Sequence, residues 1–262
     1  MATKHLGWAA ALWMAGASTA HAGEAHFVAS EVTVDGHRYA FQVFVPHGWS
    51  ADRAWPVVLF LHGSGERGHD NQAQLRQGLP PWLKAHGDDF PAVVVAPQAP
   101  ENTVWSGEVE RAAMAALKQS IEAYHGDRTR LYVTGLSMGG YGAWQLAVDH
   151  PGLFAAAVVI CGGIRSLDDM PELKVYGVPD GVDPFAWVAN RVKPMPTWIF
   201  HGAIDDQVPP DESRGMNKAL LKVGDPVRYT EFPGVGHGSW VPAYDTSELW
   251  PWVFSHRTGA AG

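Results

Sequence analysis

Apolar positions along this chain fall into two strand-like patterns and one helical pattern, and their order predicts the architecture. Segments 27–34 and 39–45 alternate apolar with polar residues, the period of strands with one wet face, and Asp35-Gly36 between them is a tight-hairpin dipeptide. Pro46 ends the second strand. Five later runs, 57–61, 92–96, 131–133, 155–160 and 197–200, are apolar without a break, as expected of strands buried on both faces. Between them, 109–124 places Val109, Ala113, Ala116, Leu117 and Ile121 on one helical stripe, and 139–149 and 211–223 also read as helices. A last strand over 227–232 and a last helix over 247–256, limited by Pro251, complete the chain.

A hairpin followed by alternating strands and helices describes an α/β fold: a mostly parallel central sheet, helices on both faces, and an antiparallel N-terminal hairpin. Such sheets carry their chemistry at the carboxyl ends of the strands, so reactive residues should sit just after the apolar runs. The chain of 262 residues suits one large domain, expected over 23–262. The stretch 162–196, rich in Pro, Gly and Asp, is the least periodic. It fits either a small insertion over the active site, with Phe185 and Trp187 lining the pocket, or a surface loop with a short helix.

The first 22 residues read differently. Lys4 and His5 form a basic start, 6–17 is mostly apolar and small, and Ala20-His21-Ala22 offers small residues where a signal peptidase reads them. The apolar run is too short to span a bilayer, which predicts a secretory signal cleaved after Ala22 and a secreted or periplasmic product with no membrane span. The formal net charge of −8, without a Lys/Arg run, argues against nucleic acid or anionic lipid as partners, because phosphate binding needs clustered cations. The single cysteine, Cys161, excludes an intramolecular disulfide and reads as a buried structural thiol. The 12 tryptophans either pack the core or line a cleft with their ring faces, and Trp105, Trp187 and Trp240 are the candidates for the second role.

Four motifs follow four of the strands. Gly135-Leu136-Ser137-Met138-Gly139 lies between a strand and a helix. A serine on such a tight turn is exposed to substrate, its neighbours two before and two after must be small, and the following helix points free N–H groups at developing negative charge. Leu61-His62-Gly63-Ser64-Gly65 follows an earlier strand and can supply a second oxyanion donor, through the backbone N–H of Ser64, beside that of Met138. His62 reads as a brace for that loop, since the base of this arrangement comes late in the chain. In His201-Gly202-Ala203-Ile204-Asp205-Asp206 two adjacent carboxylates compete as the group that orients a histidine. Gly234-Val235-Gly236-His237-Gly238-Ser239-Trp240 places His237 on a flexible loop able to fold back over Ser137. The order Ser137, Asp205, His237, each after its own strand, is that of a nucleophile, an orienting acid and a general base.

Together, Gly-Leu-Ser-Met-Gly-Gly, Leu-His-Gly-Ser-Gly-Glu-Arg-Gly, His-Gly-Ala-Ile-Asp and Gly-His-Gly-Ser-Trp resemble the α/β-hydrolase superfamily. Within it, they are similar to small bacterial esterases related to dienelactone hydrolase, phospholipase/carboxylesterase and polyhydroxybutyrate-depolymerase-like proteins, over roughly 57–256. The resemblance places the acid at the fifth position of His-Gly-x-x-Asp-x-x-Val-Pro, Asp205, and implies ester hydrolysis through an acyl-enzyme without cofactor or metal. The Ser-Glu-Arg variant after His62-Gly63 resembles secreted members acting on hydroxycinnamoyl or polysaccharide-linked esters. No segment is long enough for a large cap domain, so the pocket is expected to be shallow and open to a small-molecule or polymer-linked ester. The competing readings are a serine peptidase of the prolyl-oligopeptidase-like type and a non-catalytic binding protein on the same fold. No His-Glu-x-x-His motif or phosphate-binding glycine loop supports a metal site or a nucleotide site.

Overall fold

The computed structural model describes residues 23–259, so the expected signal segment lies outside the described residues. Strands β1 (His26–Val34) and β2 (His37–Val45) form the hairpin, with Val34 paired to His37 and a two-residue loop between them. Asp35 and Gly36 take φ of 50° and 86°, the positive pair that matches the twist of a hairpin. The remaining strands are β3 (Trp55–Leu61), β4 (Val93–Pro97), β5 (Gly126–Leu136), β6 (Ala156–Ile160), β7 (Thr197–Gly202) and β8 (Val227–Phe232). The eight strands form one sheet in the order β1-β2-β4-β3-β5-β6-β7-β8. β1 and β2 run antiparallel to their neighbours, and every pairing from β4 to β8 is parallel.

Each continuous apolar strand serves two cores at once. Val57, Leu59 and Leu61 join one buried cluster while Val58 and Phe60 join the other, as the period of 2 requires. The first cluster is closed by α2 (Gly107–Ala123), α3 (Met138–Asp149), α4 (Pro184–Val192) and α5 (Asp211–Lys222). The second is closed by α1 (Leu79–His86), α6 (Trp240–Tyr244) and α7 (Leu249–Phe254).

α1 escapes the periodicity reading, and α4 enters it only as the short helix that one reading of 162–196 allows. α1 begins Leu79-Pro80-Pro81 and α4 begins with Pro184, while α6 is only five residues long. Proline in the first turn removes N–H groups that have no intrahelical acceptor anyway, so a loop-like composition is compatible with a helix start. Pro251 is likewise the third residue of α7, within its first turn, and does not break it. β5 extends well before the predicted 131–133 because Gly126 pairs with Trp55. In 162–196, Val188, Ala189 and Val192 of α4 join the first core.

Candidate active site

Ser137 stands between the end of β5 and the start of α3 with φ 53° and ψ −121°, a backbone state that costs a non-glycine residue about 1–3 kcal/mol. The turn is held by the approach of three backbone segments. A Cβ on Gly135 would lie 2.1 Å from the Gly139 carbonyl oxygen, and one on Gly139 would lie 1.9 Å from that of Leu61. Both positions therefore require glycine for space, and the Ser137 N–H is anchored to the Ile160 carbonyl at 2.9 Å. Met138 opens α3, so its N–H has no acceptor within the helix.

The loop after β3 is braced from behind. His62 is fully buried, donates from Nδ1 to the Gly63 carbonyl at 2.6 Å and accepts the Ala99 N–H at Nε2 at 3.0 Å. Arg67 ties the same loop down by donating from Nε to the Ser64 carbonyl at 2.9 Å and from Nη1 to that of Thr103 at 3.2 Å. Gly63 packs so closely on Ser137 that an added Cβ would lie 3.6 Å from the serine Cβ. Ser64 begins a single 3-10 turn, Ser64–Glu66, and thus presents its N–H at a helix start, like Met138. Burial pushes the Glu66 carboxyl above its ordinary pKa, against the opposing effect of backbone N–H groups at Gly63 and Glu66.

Asp205 and His237 come from adjacent loops that are joined along their backbones. Ala203 N–H donates to the Phe232 carbonyl at 3.0 Å and Ile204 N–H to that of Val235 at 3.1 Å. At Gly202 a Cβ would lie 2.1 Å from the Gly236 carbonyl oxygen. This seam brings His237 Nδ1 to 2.8 Å from Asp205 Oδ2, and His237 Nε2 to 2.9 Å from Ser137 Oγ. The other Asp205 oxygen accepts the N–H groups of Gln207 at 2.9 Å and Val208 at 3.0 Å. Burial alone would raise the Asp205 pKa. Hydrogen bonds from His201, His237 and those two N–H groups outweigh it and hold the carboxyl well below the usual range. Asp206, its rival in the sequence, is exposed.

With this geometry in hand, comparison with known proteins gives a consistent result. The family described as "Prolyl oligopeptidase family" matches residues 107–252, and that described as "Putative esterase" matches residues 32–171. The chain belongs to both families, on the α/β-hydrolase fold. A protein named "Probable feruloyl esterase C" from Aspergillus terreus is 28% identical over 58% of this chain and 57% of its own length. A poly(3-hydroxyoctanoate) depolymerase from Pseudomonas fluorescens is 28% identical over 80% of this chain and 77% of its own. The crystal structure of a thermostable esterase superposes with a TM-score of 0.73 at 34% identity, covering 88% of this chain and 63% of that one. The chain thus spans little more than half the length of the feruloyl esterase and under two thirds of the thermostable esterase.

In this α/β-hydrolase the three tryptophans expected at the cleft part company. Trp105 is only 3% exposed and its indole N–H donates to the His62 carbonyl at 3.0 Å. It stands behind the oxyanion loop, packed on Gly142, and is a brace rather than the expected cleft residue. Trp187 lies on α4 with the Arg191 guanidinium 4.8 Å from its ring, a position set by the helix and not by the triad loops. Phe185 packs onto Gly215 of α5. Trp240 adjoins His237, its ring 5.6 Å from that of the histidine and perpendicular to it.

Cys161 is fully buried at the end of β6, and burial pushes its thiol up to about 12. Its sulfur and one ligand atom each of Asp205 and His237 lie within 4.8 Å of one another, a set of metal-type donors that coincides with the hydrogen-bonded pair. Sequence reading missed two contributors. Arg67 was legible in the Ser-Glu-Arg run but not its grip on Ser64. His201 was visible as the first residue of the acid motif but not as a neighbour of Asp205.

Proposed function

We propose that this protein is an exported serine hydrolase of carboxylic esters, with Ser137 as nucleophile, His237 as general base and Asp205 as the acid that orients it. One observation carries the reading: the unbroken line from Ser137 Oγ through both nitrogens of His237 to Asp205 Oδ2, at 2.9 and 2.8 Å. An ionised Asp205 requires the proton of neutral His237 on Nδ1, which leaves Nε2 free to accept the serine proton as Oγ attacks the ester carbonyl. The oxyanion that forms is met by the N–H groups of Met138 and Ser64, each at a helix start. His237 then returns its proton to the departing alcohol, leaving Ser137 acylated. In the second half a water molecule gives its proton to Nε2 and attacks the acyl carbon; the bond to Oγ then breaks, His237 returns the proton to Oγ, and the acid and the free serine are released.

The relatives support a choice of esters to try: one is named a feruloyl esterase and another a poly(3-hydroxyoctanoate) depolymerase, so feruloyl and 3-hydroxyalkanoate esters are the candidates. The half-exposed Trp240 beside His237 offers an aromatic surface to an acyl group. Export rests on the signal-like pattern ending at Ala22 and is tested by N-terminal sequencing of exported protein, which should begin at Gly23. The deciding assay is fluorophosphonate labelling and release of p-nitrophenol from short acyl esters, with Ser137→Ala as control. That variant should lose on the order of 10³-fold or more in rate and all labelling. An unlabelled wild type would favour a binding protein. A panel of acetyl, butyryl, feruloyl and 3-hydroxyalkanoate esters then assigns the acyl group.

A second reading, peptide hydrolysis, is favoured by the prolyl oligopeptidase match over residues 107–252. Faster turnover of peptide anilides than of matched esters would select it.

A further inference from the structure

His201 has no part in the mechanism above, yet it is as deeply buried as any residue in the site, at 0% exposure. It is the next-to-last residue of β7 and lies four residues before Asp205. Its Nε2 sits 2.9 Å from the Val208 carbonyl oxygen and 3.2 Å from Asp205 Oδ2. Its Nδ1 sits 2.6 Å from Ser213 Oγ, on α5.

We propose that His201 is a positioning residue for the triad acid, locked by Ser213 in the tautomer that donates from Nε2 to Asp205. The inference rests on the triad reading above. Both groups beside Nε2 are acceptors, a carbonyl and an ionised carboxylate, so the proton must be on that nitrogen. In the neutral ring, Nδ1 is then an acceptor, and the Ser213 hydroxyl is the donor in reach. Every site is thereby used: Asp205 Oδ1 takes two backbone N–H groups, Oδ2 takes the ring N–H of His237, and the His201 Nε2–H, donated to the Val208 carbonyl at 2.9 Å, also faces Oδ2 at 3.2 Å. The Val208 carbonyl and the Val208 N–H both point into this knot, which ties the loop after Asp205 back to β7.

Two consequences follow. The carboxylate is fixed against rotation about its Cβ–Cγ bond, because each oxygen is engaged from two directions. Part of its charge is also engaged by His201, so less of it falls on the bond to His237. Removing the His201 N–H therefore loosens the acid and concentrates its charge on His237.

The test uses three variants with p-nitrophenyl ester kinetics across pH. His201→Leu removes the donor. His201→Gln keeps an N–H donor near the position of Nε2, and Ser213→Ala removes the tautomer lock. Removal of such an outer partner typically costs 10- to 100-fold in activity, and we expect about that fall in kcat for His201→Leu, with KM changed less than about threefold. The acid limb of kcat/KM, which reports His237, should move to higher pH in the Leu variant. It should move back toward wild type in the Gln variant. Ser213→Ala should show the same direction at smaller size, and it serves if His201→Leu does not fold. Equal loss in the Leu and Gln variants, or an acid limb unmoved in both His201→Leu and Ser213→Ala, would overturn the proposal by reducing His201 to packing. The triad reading fails separately: it falls if Ser137→Ala keeps turnover, whereas wild-type kinetics in His201→Leu with an inactive Ser137→Ala removes only this inference.

Discussion

His62 ties the loop after β3 to the acid stability of the whole fold. Its two nitrogens are committed to opposite roles, donor to the Gly63 carbonyl and acceptor from Ala99, so the folded protein holds it neutral. Burial pushes its pKa down from 6.5 to about 4, against the Gly63 carbonyl, which favours the charged form, and with help from the Arg67 charge. Above the unfolded value of 6.5 neither state binds the proton, and the full contribution is present. As pH falls from there, the unfolded chain protonates and the folded chain does not, so stability drains away until the folded value near 4. At about 1.4 kcal/mol per pH unit, that interval is worth about 3 kcal/mol. Two carboxyls work against it. Burial raises Glu110 to about 7, assisted by Asp149, and raises Asp225 to about 6 against a Met195 N–H, so both take up protons in the folded state first and gain stability over the same window. Together these two shifts exceed that of His62, so the wild-type curve alone does not isolate its contribution. The observable is the difference from His62→Gln, measured by urea unfolding followed through the 12 tryptophans, from about pH 7.5 to about pH 4. At the upper end the variant should be the less stable, having lost a matched pair of buried hydrogen bonds. Toward acid the gap should close by about 3 kcal/mol. A gap constant across the range would refute the neutral, buried assignment.

Three further outcomes test other parts of the site. Gly139→Ala should cost more than about 3 kcal/mol or prevent soluble expression, because its Cβ would lie 1.9 Å from a backbone oxygen that cannot move aside; a wild-type melting temperature would contradict the packing. Trp105→Phe leaves the buried His62 carbonyl without its donor and should destabilise by about 1–3 kcal/mol, read by urea unfolding, while leaving acyl preference unchanged in steady-state kinetics. Trp240→Ala should raise KM for feruloyl esters more than for acetyl esters, and equal KM ratios would remove it from the acyl site.

Where chemistry imposes a spacing, the chain could be read; where geometry is supplied by distant segments, it could not. The parallel strands were legible because two-sided burial leaves no polar position in 57–61 or 155–160. The helices with an open stripe, such as α2, were legible for the complementary reason. α1 and α4 were not, since their opening prolines look like loop and become helix only through the buried faces formed by Leu79 and Leu83 and by Val188 and Val192. Among the aromatics, composition could nominate Trp105, Trp187 and Trp240 but could not separate them. A tryptophan behind the loop and one beside His237 have the same side chain, and only the partner of the indole N–H distinguishes the first. His201 escaped notice because its role is to another side chain across a turn, and a motif shows that a residue belongs there without showing whom it serves.

The glycines of the motifs bear on how the loops carrying Ser137, Asp205 and His237 are held together. At four of them a Cβ would collide with backbone, Gly135 with Gly139, Gly139 with Leu61, Gly140 with Gly162 and Gly202 with Gly236, whereas Gly65, Gly234 and Gly238 have open space. These approaches join the nucleophile turn to the oxyanion loop, to the end of β6, and the acid loop to the histidine loop. Three side chains on three different loops can hold hydrogen-bond distances only if those loops are fixed to within fractions of an ångström. Backbone-to-backbone contact is the stiffest way to do so, because neither partner has a rotamer to change. The same residues that make the motif recognisable as text are therefore the ones that set the distance from Ser137 to His237. Enlarging any of these four glycines should leave the side chains present but out of line.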